Sequence, residues 1–199
     1  MASELHVDAI KHSGGTSALT IDSSGNIATN ATLNASTGLT VPSGHVIQVV
    51  SNNTATQTSL ASANFLEYSA LNTSITPSST SSKIFVTLTV FVGNANDDNY
   101  NQFRLKRDST EIGLGTQVGS SAVTTFAQNG PYTHATYEVH SVAYSIIDSP
   151  STTSQVTYKL LARAMGNATR TMFFNRPNNT DDVNRSATTS TMTLMEISG

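Results

Sequence analysis

Apolar and polar residues alternate along most of the chain, and this is the pattern of β-strands whose two faces meet different surroundings. The clearest case is residues 83–92, written KIFVTLTVFV, where both alternating faces carry bulky side chains. We expect this strand to lie in the middle of a sheet with both of its faces covered. Residues 100–107 alternate apolar with polar side chains instead, which predicts a strand with one solvated face.

Two long strands are predicted nearer the C-terminus, over residues 140–147 and 155–164. The segment between them, DSPSTT at 148–153, is rich in turn-forming residues, so the pair is predicted to form an antiparallel hairpin. The last strand, 191–197, is again apolar on both faces. Shorter candidates lie at 46–50, 65–75, 111–115 and 172–175. About eight to ten such strands predict a sandwich or jelly roll over residues 45–199.

The first forty-odd residues have a different pattern. The segment LTIDSSGNI at 19–27 is echoed by LTVPSGHV at 39–46, each a short strand, a glycine turn and a second short strand, and a further strand is predicted at 5–10. Strands this short carry too few apolar groups to build a core alone, so we expect several copies of the chain to wrap together. A flexible linker is the alternative. The apolar residues expected to make the contacts are Leu5, Val7, Ile10, Leu19, Ile21, Ile27, Leu39 and Val41.

Composition narrows the class of protein. Only 12% of the residues are charged and the net charge is -3, which offers no basic face for a nucleic acid. There is no cysteine, hence neither a disulfide nor a thiolate metal site. The longest apolar runs are too short to cross a bilayer and the N-terminus has no signal-peptide pattern, so we expect a soluble protein made in a cytoplasm. Abundant Ser and Thr in strands are typical of an exposed, durable surface.

Four segments carry a resemblance to a known group of proteins. They are SALTIDSSGNI at 17–27, ITPSSTSSKI at 75–84, DSPSTT at 148–153 and TLMEI at 193–197. In this order they resemble the tail-fibre and spike-type virion structural proteins of marine tailed bacteriophages (cyanophage or pelagiphage-like). The resemblance implies an all-β homotrimer, in which residues 1–44 form an intertwined shaft or anchor and residues 45–199 a jelly-roll head.

The same resemblance implies a function. The chain would form a trimeric fibre or spike on the exterior of a virion, attach through its N-terminal segment to tail or capsid proteins, and present its head to the host surface. No catalytic motif and no cofactor are implied, so the chain is not expected to be an enzyme. A capsid decoration or cement protein that stabilises the shell is an alternative. A free lectin-like or hydrolytic jelly roll is another.

Candidate chemical motifs are few and incomplete. The glycines of 113–119 have the spacing G-x-G-x-x-x-G without a following helix, which indicates a loop and not a phosphate site. The polar cluster at 94–99 lacks the glycine and glutamate of a calcium loop, and 178–182 is a similar polar cluster. Both are predicted to be solvated loop tips, and a cation held together with groups from elsewhere is the alternative. His134 and His140 would lie about 20 Å apart on one strand with Glu138 between them, too far to share a metal ion. No metal site is therefore predicted within one chain, and three copies of one histidine that meet at a threefold axis are the alternative.

Loop residues with flat or polar side chains are the candidates for surface recognition. They are Tyr100, Tyr132, Asn178 and Asn179. A tyrosine offers an apolar face with a polar end, and this suits host cell-surface polysaccharide. Tyr137 is instead interpreted as a half-buried strand residue.

Overall fold

The chain divides into two units, Met1–Val41 and Pro42–Gly199. The boundary predicted from the sequence falls after residue 44. The computed structural model describes residues 8–11, 13–15, 17–29, 42–95, 98–131, 136–164 and 170–199.

The first unit contains a small antiparallel sheet of three strands, β1 (Ala9–Lys11), β2 (Ser17–Ile21) and β3 (Ile27–Thr29). The Asp22 carboxylate shapes the turn between β2 and β3, because it accepts hydrogen bonds from the backbone N–H groups of Ser24 and Asn26 at 2.8 and 2.9 Å. Gly25 has a φ of 81°, a conformation that favours glycine. The predicted strand–turn–strand at 19–27 is therefore confirmed. Residues 39–41 of its echo lie outside the described residues.

The second unit is built from short and long strands. They are β4 (Val46–Thr54), β5 (Thr58–Leu60), β6 (Leu66–Glu67), β7 (Thr73–Ile75), β8 (Lys83–Asn94), β9 (Asp98–Arg107), β10 (Thr110–Ile112), β11 (Phe126–Pro131), β12 (His140–Asp148), β13 (Val156–Ala164), β14 (Met172–Phe174) and β15 (Ser190–Ile197). A short 3₁₀ turn, Ser69–Leu71, separates β6 from β7, so the single strand predicted at 65–75 is wrong.

These strands form two antiparallel sheets. In sheet I, β8 pairs with β12 along one edge and with β15 and then β14 along the other; β4 pairs with β15, and β5 with β14. In sheet II, β9 pairs with β13 along one edge and with β11 and β10 along the other; β6 and β7 pair with the far edge of β13. Each sheet is thus four rows wide.

The sheets pack face to face, which confirms the prediction of an all-β sandwich. Alternate residues of the long strands enter the core. They include Ile84, Val86, Leu88 and Val90 of sheet I, and Phe103, Leu105, Tyr158 and Leu160 of sheet II, all at most 2% exposed. At one end Tyr68 stacks on Phe174 with ring centroids 4.0 Å apart. The prediction that 100–107 has one solvated face is confirmed, since Phe103 and Leu105 are buried while Arg104 and Lys106 are half-exposed.

The predicted hairpin between 140–147 and 155–164 is wrong. β12 pairs with β8 in sheet I, whereas β13 pairs with β9 in sheet II. The Asp148–Thr153 segment therefore crosses from one sheet to the other. Turn-forming residues mark the end of a strand, but they do not specify which strand is its neighbour.

The expectation that both faces of β8 are covered is met only on the core side. Its other face carries Phe85, Thr87, Thr89 and Phe91, which are half-exposed. The strand is central in sheet I, as predicted, but the chain itself covers one face alone.

Candidate interaction surfaces

The small sheet of the first unit leaves its apolar side chains in solvent. Ile10 is 52% and Ile27 64% exposed, while Leu19 and Ile21 are half-buried. Among residues 8–29, none whose side chain the structure describes is buried. This sheet has no core of its own among those residues, which isolated strands require. Four of the predicted contact residues, Leu5, Val7, Leu39 and Val41, lie outside the described residues.

The outer face of sheet I carries no charge over three consecutive rows, which we call the uncharged face. Cross-strand pairing aligns Ile147, Phe85, Met195 and Val49 in an apolar row. The next row is Ser145, Thr87, Thr193 and Ser51, and the third is Ala143, Thr89, Thr191 and Asn53. Ile147 and Val49, at the two edges, are each 56% exposed.

The outer face of sheet II is the opposite in character. Its cations are Arg104, Lys106, Lys159 and Arg163, and its carboxylates are Glu67 and Glu111. Arg104 and Arg163 stack on the Phe65 ring at 4.2 and 4.7 Å from its centroid. A protein surface ordinarily mixes about 25–35% charged residues, so sheet II has an ordinary outer face. The uncharged face of sheet I differs from it, because its three rows carry no charge.

Three of the four predicted recognition residues lie in the described ranges, and they lie on two different elements. Tyr100 lies within β9 and pairs with Asn129, so its placement in a loop is wrong. Tyr132 lies outside the described residues. Asn178 and Asn179 do lie in a loop, between β14 and β15, and the Asn179 N–H donates to Thr136 O at 2.9 Å.

The interpretation of Tyr137 as a half-buried strand residue is wrong. The residue lies in an exposed turn next to this loop and not in a strand, and the Arg185 guanidinium lies 4.1 Å from its ring centroid. Residues 138 and 139 likewise lie outside any strand, and His140 Nε2, at the start of β12, lies 3.0 Å from Glu138 Oε2. His134 lies outside the described residues.

Asn175 anchors the loop between β14 and β15, and the sequence reasoning missed it. The residue is fully buried with a φ of 60°, a conformation in which asparagine is the best tolerated of the larger residues. Its Nδ2 donates to the carbonyl of Thr54 at 2.9 Å, and its Oδ1 accepts from the Ser190 hydroxyl at 2.6 Å. The start of the loop is thereby fixed to both β4 and β15. In the sequence, the one indication of this anchoring role is an asparagine that directly follows an apolar strand.

Glu196 is the buried carboxylate of sheet I. Ser78 donates to its Oε1 through both its backbone N–H and its hydroxyl, at 2.7 and 2.6 Å, and Gln48 Nε2 donates to its Oε2 at 2.6 Å. Burial alone raises the pKa of Glu196, but these hydrogen bonds outweigh burial and hold the pKa below its ordinary value. The carboxylate is thus kept charged, and its partners tie β15 to β4 and to the segment before β8.

A second polar cluster joins the sheets where the chain crosses between them. The Tyr158 hydroxyl and Arg107 Nη1 both donate to Asp148 Oδ2, at 2.7 and 2.6 Å. Burial, and then the adjacent Asp148 carboxylate, raise the pKa of Tyr158 above its ordinary value. These contacts fix the end of β12 against sheet II.

Within the described ranges, no three His, Asp or Glu side chains come together as metal ligands would. The same part of the chain contains no helix long and apolar enough to cross a membrane. No protein-family model matches the chain, and no curated protein matches it.

Proposed function

We propose that this chain is the subunit of a homotrimeric fibre or spike on the exterior of a phage particle. Its first 44 residues form the shared shaft that attaches to tail or capsid proteins, and residues 45–199 form the head that meets the host surface. The role is structural and adhesive and involves no catalysis. The four segments that resemble phage fibre proteins support this assignment, and so do two features of the fold.

The main support for an oligomer is the small sheet of the first unit. Its strands pair correctly and its turn is well hydrogen-bonded, yet Ile10 and Ile27 stay more than half exposed. Burying an isoleucine stabilises a protein by about 1.5–3 kcal/mol. Copies of the sheet arranged around a common axis would gain this energy from each such residue, and a single copy cannot.

We infer that the head is a jelly roll. Successive rows of strands alternate between the sheets, except that β9 and the following β10/β11 row are neighbours in sheet II. They give the order β12, β8, β14/β15 and β4/β5 in sheet I, and β10/β11, β9, β13 and β6/β7 in sheet II. Eight antiparallel rows connected in this way make two Greek keys, which is the jelly-roll arrangement.

The uncharged face supports contact between the heads of different copies. Charged residues are depleted at the centre of protein interfaces, and this face has none in three rows. Ser and Thr hydroxyls both donate and accept hydrogen bonds, so rows such as that of Thr87 and Thr193 can bond to polar groups of another copy. In a trimer, this face of one head would meet a face of the next head around the common axis.

Light scattering on the purified chain tests the proposal. The expected mass is three times the 21.0 kDa of one chain, stable on dilution. A 21 kDa monomer at micromolar concentration would contradict it.

Electron microscopy of particles labelled on this chain tests its location, and particles lacking the chain test its role. Intact particles that fail to adsorb to cells support the fibre. Particles that adsorb normally but lose shell stability would support a capsid decoration protein instead.

A further inference from the structure

Two arginines line one cavity of about 180 Å³ in the second unit. The loop between β14 and β15 supplies most of its wall, and the segment after β4 supplies the rest. The lining residues are Gln57, Arg176, Pro177, Thr180, Arg185, Ser186 and Ala187. Asn175 holds the start of this loop to β4 and β15 through hydrogen bonds, so the backbone of Arg176, the next residue, is fixed in position.

Aromatic rings hold both guanidiniums in place. Arg176 lies 4.2 Å above the centroid of Phe173, and Arg185 lies 4.1 Å from that of Tyr137. Nη1 of Arg176 also donates to the carbonyl of Pro177 at 3.0 Å. Stacked arginines lose less conformational freedom when they bind an anion, so the two side chains are positioned in advance.

The charges in this cavity are incompletely paired. Nε of Arg185 is buried and has no hydrogen-bond partner. The nearest carboxylate, Asp182, lies 3.8 Å from Nη2 of Arg185, which is a weak ion pair. Two like charges that line one small cavity favour an oxyanion, which accepts hydrogen bonds from guanidinium in parallel pairs.

The size and the neutral lining identify what carries the oxyanion. At about 180 Å³, the cavity has room for more than a bare oxyanion. Gln57, Thr180 and Ser186 offer amide and hydroxyl groups that suit the hydroxyls of a sugar. We infer that the cavity binds an acidic sugar, with its carboxylate or phosphate between Arg176 and Arg185.

This inference extends the proposed function, because it names the class of host-surface ligand that the head would contact. It does not depend on the trimer, since all the lining residues belong to one chain.

Titration of the purified full chain with glucuronate, glucose 6-phosphate and glucose at low ionic strength tests the inference. Glucose is the matched neutral ligand, because it has the same ring without the anionic group. Glucose cannot form the hydrogen bonds to a charged group, so at least one acidic sugar is expected to bind about tenfold or more tightly than glucose. Equal binding of all three sugars, or none, would overturn the inference. Inorganic phosphate that binds as tightly as glucose 6-phosphate would overturn the assignment to a sugar.

Substitutions locate the site. Arg176→Gln and Arg185→Gln should each weaken binding of the acidic sugar about tenfold or more. Lys106→Gln changes the net charge equally on the outer face of sheet II and should leave binding unchanged. Equal weakening in the Lys106 variant would show a nonspecific charge effect and overturn the site.

Two further variants guard against misfolding. Arg185→Lys keeps the charge but loses the planar fork, and it should weaken binding while the circular dichroism spectrum stays native. Asp182→Asn keeps the acceptor of the Asn184 N–H and removes the competing carboxylate, so it should tighten binding. Light scattering on the same samples separates the proposals: a trimer without sugar binding contradicts only this inference, and a monomer that binds contradicts only the fibre.

Discussion

A single acidic side chain, Glu196, holds together three segments that are distant in sequence. Hydrogen bonds from Ser78 and Gln48 keep it ionised in a fully buried position, where an unpaired carboxylate would be strongly unfavourable. The period-2 pattern places Glu196 on the inner face of β15, but no sequence pattern names its partners, which lie 118 and 148 residues away.

We expect Glu196→Gln to lower the free energy of unfolding by about 1–3 kcal/mol at neutral pH, because charged hydrogen bonds are lost. The folded-state pKa lies below the ordinary 4.5, so the unfolded chain takes up the proton first on acidification. The stabilisation is therefore complete above about pH 4.5 and is lost as the pH falls through the folded-state pKa. Urea unfolding across this range should show a shallower pH dependence in the variant.

Glu67→Gln is the matched control. Its carboxylate is partly exposed and lies 3.7 Å from Lys159, so its loss should cost less than about 1 kcal/mol. An unchanged acid slope in Glu196→Gln would show that the hydrogen bonds do not hold the pKa down.

Gly93 permits the close approach of the cavity loop to β8. A Cβ atom at this position would lie 2.5 Å from Arg176 O and 2.8 Å from Pro177 Cα. Because both are backbone atoms, Gly93→Ala must displace the loop, and we expect it to cost about 1–3 kcal/mol in urea unfolding and to weaken binding of acidic sugar.

Gly115→Ala provides the comparison for Gly93, since the nearest atom to its Cβ would be Thr124 O at 3.6 Å, an ordinary contact. It should change stability by no more than about 0.5 kcal/mol. Equal effects of the two alanines would contradict the close packing at Gly93.

At the scale of elements, the sequence predicts strands well and their partners poorly. Alternation located β8, β9, β12, β13 and β15 within one or two residues at most ends, because side chains of a sandwich face either core or solvent. The partner of a strand depends on contacts between distant segments, which is why the predicted hairpin of β12 and β13 failed. The arginine cavity escaped notice for the same reason, since Gln57 and Arg185 meet only in the fold.

The uncharged face can be tested with lysine at its two edges. If copies meet through this face, Ile147→Lys or Val49→Lys places an unpaired charge in the contact, which costs about 3–5 kcal/mol. Association should weaken by more than about a hundredfold in analytical ultracentrifugation, while the circular dichroism spectrum stays native.

The control for both lysines is Leu66→Lys, because Leu66 is 49% exposed on an edge strand of sheet II. It should leave association unchanged. Retained association in Ile147→Lys and Val49→Lys together would exclude the uncharged face as the contact.

At the scale of the whole molecule, the two units solve the problem of burying apolar surface in different ways. The second unit buries Ile84, Phe103, Tyr158 and their neighbours between its own sheets and needs no partner for its core. In the first unit, the described residues Ile10 and Ile27 are more than half exposed. The short repeated strands already predicted this contrast, because the number of apolar residues in a segment limits the core it can make.

A substitution at Ile27 in the first unit distinguishes a core shared between copies from a monomer. In a monomer, Ile27 is 64% exposed, so Ile27→Asp should change stability by no more than about 0.5 kcal/mol. In a shared core the same aspartate is buried once per copy, and association should weaken by more than about a hundredfold. Val183→Asp is the matched control, because Val183 is fully exposed in the second unit. Since a trimer melts at a temperature that rises with protein concentration, we expect Ile27→Asp to abolish that rise and Val183→Asp to retain it; a rise preserved in both would place the contacts between copies elsewhere.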